Sequence, residues 1–410
     1  MSSAAPTSAF ARVAQIAADR RVHAAFRWLH LQQPQVLHWQ SELVSIPAPP
    51  FEERARAEWL CNRFRDFGLS DVRIDAVGNA VGLRHAALPC EDAVLLSAHL
   101  DTVFPSGTVI EPRLNGTRLE APGACDNGAG LACLLALTAA FEHAGLVPEC
   151  DIYFVGNVGE EGEGNLRGMR HIYDEAPWRD RITAHLVLDG AGHEVAVTDA
   201  LGSQRFQVTI TGPGGHSWTD SDRPNPITVL SQAIARIATL EMPASPRTTL
   251  NIGTIEGGTS VNTIPESATA RIDTRSTAPE QLIRLEVEVH RAMEDAVLAA
   301  NQQAAQRARK HAPLAFMIDK IGSRPAGRLR KDTALYDNLF AVDRHLNIHT
   351  EPRVASTDAN IPLALGVPAV TLGGGGEGGG IHTRAEWYDA RGRELGLRRV
   401  LLLLLAMAGI

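Results

Sequence analysis

Five short segments of this 410-residue chain place acids and histidines where apolar runs end. The first is Leu95-Leu-Ser-Ala-His99-Leu-Asp101. A period of 2 puts His99 and Asp101 on one face at a strand end. A neutral imidazole is a zinc ligand, and a neighbouring carboxylate can fix its tautomer and raise its basicity. A core or surface histidine accounts for the same two residues. The second segment is Gly123-Ala-Cys-Asp126-Asn-Gly-Ala-Gly130, just ahead of a helical run. Asp126 there reads either as a helix N-cap or as a carboxylate shared between two metals. The third is Val158-Gly-Glu160-Glu161-Gly-Glu163. Adjacent glutamates repel one another, and a cation would relieve that repulsion. Successive strand side chains point to opposite sides, so Glu160 and Glu161 can take separate jobs. A solvated acidic loop is the plainer alternative. The fourth is Leu186-Val-Leu-Asp189-Gly, and the fifth is Gly380-Ile-His382-Thr-Arg-Ala-Glu386-Trp.

Taken singly these signals are weak; their shared place at strand ends joins them. Ligand sites in open α/β sheets collect at the carboxyl ends of strands. Together the segments would supply two histidines and three carboxylates, nitrogen and oxygen donors without a thiolate, which suits zinc, cobalt or manganese. A carboxylate-bridged metal pair about 3.5–4 Å apart is a known hydrolytic arrangement. The glycine-rich run 373–380 is not a phosphate-binding loop, because no Gly-Lys-Ser/Thr follows it. It reads as backbone room near a ligand or as a mobile surface loop.

The elements that must position these residues can be read from periodicity. Residues 9–70 look helical, with a proline break at Pro47, Pro49 and Pro50 before the amphipathic stretch Glu52 to Phe67. Strand-like runs follow at 72–74, 93–97, 152–158 and 184–188, with a helix expected over 128–144. This alternation predicts an α/β layer with a partly parallel sheet. Near Gly202 the pattern changes. Strands are expected at 206–211, 248–255, 268–274 and 314–320, and helices at 226–240 and 279–303. Beyond them, 332–346, 369–372 and 390–407 resume the first pattern. The second unit therefore reads as inserted into the first: 1–201 and 321–410 form one domain, with 1–36 an N-terminal helical extension, and 202–320 forms the other.

Composition narrows the function. Hydrophobic residues make up 44% of the chain, enough for a large core, and the net charge is −8. An acidic balance argues against nucleic acid or an anionic membrane as the main partner. Cys61, Cys90, Cys125, Cys133 and Cys150 are odd in number and contain no CxxC pair, so reduced buried thiols are expected. The first residues lack the apolar stretch of a secretory signal. The longest apolar run, 400–408, is about half of the roughly 20 residues that span a bilayer. It reads as a buried terminal helix, and a cytoplasmic location is expected.

The ordered set His-x-Asp, Gly-x-x-Asp-Asn, Glu-Glu-Gly, Asp-Gly and His-Thr-x-x-Glu resembles the co-catalytic di-zinc metallopeptidase family. That family contains carboxypeptidase G, peptidase T, aminoacylase and succinyl-diaminopimelate desuccinylase. The resemblance runs from about residue 37 to the end. It implies an α/β fold: a mixed, mostly parallel sheet flanked by helices, with an inserted α+β, ferredoxin-like lid and dimerisation domain. It implies two Zn2+ per subunit, with Co2+ or Mn2+ as possible occupants. By motif, His99, Asp126 and Asp189 resemble the ligands of one metal. Asp126, Glu161 and His382 resemble those of the other, with Asp126 bridging. Asp101 resembles the carboxylate that orients His99, and Glu160 the general base. Gly214-Gly-His216-Ser resembles the segment carrying the lid histidine that polarises the scissile carbonyl. Asn262, in Ser260-Val-Asn262-Thr-Ile-Pro, and Arg275, in Asp273-Thr-Arg275, resemble residues that hold polar ends of the substrate. A turn histidine and a surface Asp273–Arg275 ion pair are the plainer readings. Ser356-Thr-Asp358-Ala-Asn360 matches a pocket-forming segment without a role for each residue.

The implied function is hydrolysis of short peptides, as a di- or tripeptidase or other exopeptidase, through a metal-bridged water activated by Glu160. An N-acyl-amino-acid deacylase using the same centre is the alternative, and a non-catalytic binding protein a remote one. The expected partners are a short peptide or N-acyl amino acid and a second copy of the chain bound through the inserted domain.

Overall fold

A computed structural model describes residues 8–307 and 312–410, so the first seven residues of the expected N-terminal extension lie outside it. The chain divides into two compact units, one running to Ala200 and resuming at Arg328–Ile410, the other Leu201–Gly327.

The first unit is built on a mixed sheet. Its order is Ser70–Ile74, Ala80–Arg84, Asp151–Asn157, Ala93–His99, Ile182–Leu188, Ala369–Leu372 and Val195–Ala200, with Glu351–Ala355 alongside the last. The central strands are parallel. Both Ala93–His99 and Asp151–Asn157 are buried along their whole length, which is why they read as continuous apolar runs rather than alternating ones. Register aligns their ends: His99 pairs with Asn157, Ala98 with Leu188, and Leu188 with Leu372. Each segment that follows one of these strands therefore emerges at the same edge.

Helices Gly128–Ala144 and Arg393–Ala408 support the sheet. The terminal helix is buried as expected, with Leu401, Leu402, Leu403, Leu404 and Leu405 all at 0% exposure. Each buried leucine contributes about 1.5–3 kcal/mol relative to exposure. Within this apolar helix Arg399 reaches both oxygens of Asp343, at 2.6 and 2.7 Å, so its buried charge is neutralised in place.

The expected helical stretch from residue 9 is several helices: Ala9–Ala17, Arg20–Leu31, Gln33–Val44 and Arg54–Asp66. The breaks have local causes. Asp19 caps the second helix by accepting the Arg21 N–H at 2.7 Å, and Pro34 sits in the first turn of the third. The first half of the glycine-rich run is not a surface loop, whereas residues 377, 378 and 380 are exposed. Residues 373–376 are buried, and a Cβ on Gly374 would lie 2.6 Å from the Ala129 carbonyl oxygen, one on Gly375 2.4 Å from that of Arg393. Backbone packs on backbone there, between the two supporting helices.

The second unit is a four-stranded antiparallel sheet, ordered Thr248–Gly257, Ser267–Ser276, Gly202–Thr211, Ala315–Arg324. Helices Pro226–Ala238 and Pro279–Ala305 interleave with these strands in the βαββαβ order of a ferredoxin-like fold. Phe206, Val208, Ile210, Leu230, Val289 and Met293 form its own core. The final strand extends beyond the 320 boundary expected from sequence.

Candidate metal centre

The parallel strands deliver the sequence-predicted acids and histidines to one edge. His99 is the last residue of its strand and only 1% exposed. Its Nδ1 lies 3.0 Å from the backbone carbonyl of Asp101, so a proton there is donated to that oxygen and Nε2 is left to face the cluster. The Asp101 side chain accepts the backbone N–H groups of Glu160 at 3.0 Å and Glu161 at 2.7 Å. One buried carboxylate thereby ties the first strand end to the Glu-Glu loop.

Asp126 lies between the two histidines. Its Oδ1 is 3.1 Å from His99 Nε2, and its Oδ2 is 3.1 Å from His382 Nε2. The N-cap reading of Asp126 is corrected: the cap is Asn127, whose Oδ1 accepts the Gly130 N–H at 3.0 Å. His382 Nε2 is also 3.0 Å from Glu161 Oε1, and His99 Nε2 is 3.7 Å from Asp189 Oδ1. Two ligand-like groups result, His99–Asp126–Asp189 and Asp126–Glu161–His382, each with donor atoms within 4.8 Å of one another. His99, Glu160 and Glu161 meet the same limit, and Glu161 also contacts His382. His382 carries a positive φ of 64°. A non-glycine residue held there costs on the order of 1–3 kcal/mol, which the surrounding turn must sustain to aim the ring.

Electrostatics describe a pocket short of positive charge. Burial alone would lower His99, but the carboxylates of Asp101, Asp126 and Asp189 outweigh it and hold the imidazole well above its usual range. Asp126 pushes His382 up to about 9 despite partial burial. Burial, with Asp126 beside it, pushes Glu161 up to about 7. Asp126 itself is held below the usual carboxylate range, because the two histidines overcome its burial. Its Oδ1 is buried and makes no well-formed hydrogen bond, although His99 Nε2 is close. The donor set, the orphaned oxygen and the shortage of positive charge all fit divalent metal.

Three supporting groups were not assigned roles from sequence. Glu386 is buried, and its carboxylate accepts the N–H groups of Gly123 at 2.9 Å, Cys125 at 2.8 Å and Asp126 at 2.7 Å. It clamps the turn that aims Asp126. Its only sequence signal is its place in His-Thr-x-x-Glu. Arg56 is fully buried and donates to the carbonyls of Leu100 and Ile46. Burial lowers it to about 10, with Asp101 and Glu53 opposing. Asp358 is fully buried, accepts from Asn157 Nδ2 at 2.7 Å, and is pushed by burial up to about 7.

The remaining predicted residues belong to the Leu201–Gly327 unit. His216 is exposed on a short strand paired with Thr263–Ile264, and its backbone N–H donates to Asp220 Oδ2 at 2.9 Å. Asn262 is exposed, with the Ser260 hydroxyl 2.6 Å from its Oδ1. Arg275 makes the plain Asp273 ion pair at 2.8 Å. Asp273 also meets Arg205 at 3.3 Å.

Known proteins agree with this architecture. The peptidase dimerisation domain model matches residues 200–301, and the peptidase family M28 model matches residues 79–217. The YqjE protein of Bacillus subtilis is 26% identical over 360 residues, 84% of this chain and 91% of its own length. A probable carboxypeptidase of Ajellomyces dermatitidis is 30% identical over 201 residues, covering 44% of this chain and 45% of its own. The chain thus aligns with about half the length of that relative. Among solved structures, aminopeptidase PepT from Bacillus cereus has a TM-score of 0.72 at 21% identity, covering 92% of this chain and 99% of that one. A tripeptidase from Staphylococcus aureus has a TM-score of 0.72 at 22% identity, covering 92% and 98%. A hydantoinase/carbamoylase family amidase from Burkholderia vietnamiensis has a TM-score of 0.64 at 14% identity, covering 92% and 97%. Fold and site define a metal-dependent hydrolase of amide bonds. The two family-model matches, with these structural neighbours, support the M20/M28 co-catalytic metallopeptidase family.

Proposed function

We propose that this enzyme is an exopeptidase of short peptides with two zinc ions per subunit. His99, Asp126 and Asp189 would hold one ion, and Asp126, Glu161 and His382 the other. The observation that carries this reading is Asp126, whose two oxygens each approach a different histidine at 3.1 Å. A likeness to tripeptidase and PepT structures supports short peptides as substrates, and the likeness to an amidase keeps N-acyl amino acids as the second candidate.

Bound divalent metal would supply Lewis acidity, acidifying water and polarising the scissile carbonyl. Glu160 is the general base: it takes the proton of the attacking water and delivers one to the leaving amine. Asp101 positions both partners, since it neighbours His99 and holds the backbone of Glu160 and Glu161. His216 is assigned to the developing oxyanion, and Asn262 and Arg275 to the substrate's polar ends. The catalytic domain is 1–201 with 321–410, and 202–320 is the inserted lid through which two copies pair. The location is cytoplasmic; no helix among the described residues is long and apolar enough to cross a membrane.

Two measurements test this. Metal analysis should find two ions per subunit in the wild type, about one in His382→Ala, and none held tightly in Asp126→Ala. Two tightly bound ions in Asp126→Ala would contradict the bridge. A panel of di- and tripeptides against N-acyl amino acids then decides the substrate class, and faster turnover of the acyl amino acids would overturn the peptidase assignment.

A further inference from the structure

Beside the metal centre lies a second feature that none of these roles uses. A cleft of about 620 Å³ opens between the 107–113 segment and the turn Arg384–Glu386. Arg113 and Glu120 reach one wall from the neighbouring strands Arg113–Asn115 and Arg118–Glu120 of a small antiparallel sheet, which Trp387–Asp389 and Glu377–Gly379 complete. Both walls run directly into the metal-holding loops. Ala121 and Pro122 precede the Gly123–Asp126 turn, and Arg384 and Ala385 separate His382 from Glu386. An occupant would lie against the same Glu386 that clamps Asp126.

The cleft's charges are unevenly committed. Glu120 is paired with Arg118 at 3.0 Å, and that guanidinium stacks over Trp387. The Glu386 carboxylate is consumed by three backbone N–H groups. Arg113 and Arg384 line the cleft, are exposed, and make no side-chain hydrogen bond or ion pair among the described residues. The lining holds three carboxylates and two guanidiniums, but with Glu120 and Glu386 engaged, Glu111 is the one carboxylate left to oppose the two uncommitted arginines. Val109, also on the lining and 76% exposed, offers an apolar surface for a side-chain stem. Planar guanidinium groups recognise carboxylate through paired N–H donors.

We propose that this cleft is a specificity subsite for a carboxylate on the substrate, an acidic side chain or free terminus away from the scissile bond, gripped by Arg384 and Arg113. The inference rests on the peptidase reading and names its preferred substrates: short peptides with an acidic residue.

The test compares peptides that differ only in Glu against Gln at each non-scissile position, cleaved by metal-loaded wild type, Arg384→Met, Arg113→Met and Arg384→Glu. The wild type should favour the Glu peptide at one position. Each methionine variant should raise KM for that peptide by about threefold to tenfold, the range for a solvent-reachable ion pair, with kcat and the Gln peptide little changed. Arg384→Glu should reverse the preference toward Lys at the same position. Calorimetry with the corresponding uncleavable D-peptides should show the same ranking without turnover. Equal use of Glu and Gln peptides by the wild type, or unchanged discrimination in all three variants, overturns the subsite and leaves the peptidase reading standing. Failure of the metal-loaded wild type on every peptide overturns both.

Discussion

At the scale of single residues, the division of labour between Glu160 and Glu161 is the sharpest claim. The two are adjacent and both buried, and Glu161 meets His382 at 3.0 Å, which assigns it to the metal and leaves the proton to Glu160. Glu160→Gln should therefore keep the metal content of the wild type while kcat falls by at least about 100-fold, the lower range for an acid–base group. Near-wild-type turnover with full metal would remove Glu160 from the proton's path. Glu386 makes a different prediction, because it works on backbone rather than on substrate. A glutamine there keeps the shape but turns one acceptor oxygen into an NH2 group facing an N–H donor. Hydrogen bonds to a charged group are worth about 1.5–3 kcal/mol each, so Glu386→Gln should weaken metal affinity at least about tenfold and lower Tm. Metal titration by competition with a chromophoric chelator measures this, and unchanged affinity would reduce Glu386 to a bystander. The strand-end ligands were legible in sequence because each follows an apolar run. The work of Glu386 was not: its partners lie more than 250 positions away in the chain, at |i−j| of 260 to 263. Nothing local in Arg384-Ala-Glu386 announces that contact.

Among the elements, legibility followed burial. Ala93–His99, Asp151–Asn157 and Ile182–Leu188 are central strands with uniform apolar faces, and sequence placed them within a residue or two at most ends. The Ala80–Arg84 strand, with Gly82 at its centre, and the three-residue strands beside the cleft are too short to show a period. Their pairing partners, not their own composition, make them strands. The central sheet also buries a polar chain: Ser97 Oγ lies 2.8 Å from His185 Nε2, and Tyr173 OH 3.1 Å from His185 Nδ1. No charge compensates the ring, and burial lowers His185 from an ordinary value of 6.5 to about 3. Between those values the unfolded chain binds the proton and the folded chain does not. Stability therefore rises with pH across this window, is complete above about 6.5, and is lost as pH falls toward 3, at up to about 1.4 kcal/mol per pH unit. His185→Gln should flatten that slope, whatever its own effect on stability at pH 7. Denaturant midpoints at pH 5 and pH 7 for both proteins provide the check, and identical slopes would mean the buried ring titrates normally.

For the molecule as a whole, the two units divide the proposed chemistry unequally. All five metal-ligand candidates and Glu160 belong to the unit that ends at Ala200 and resumes at Arg328, while His216, Asn262 and Arg275 belong to Leu201–Gly327. The topology makes that division experimentally accessible. Ser203 pairs with Arg324, so the inserted unit begins and ends side by side. On the other unit the Leu329 N–H donates to the Thr198 carbonyl at 2.8 Å, so the cut ends there are neighbours as well. Each unit has its own core, which is the condition for folding alone. Replacing 201–327 with a short Gly/Ser linker should leave a folded protein that still binds two metals. Its peptide kcat/KM should fall by at least about 100-fold, since removing one oxyanion donor alone costs on the order of 10²–10³. The excised 201–327 piece should fold and form a dimer in sedimentation velocity, if pairing of copies resides in it. A folded, metal-loaded remnant with full turnover would show that the inserted residues take no part in the reaction. A folded remnant that binds no metal would instead move part of the ligand set into the inserted unit, where the present assignment places none.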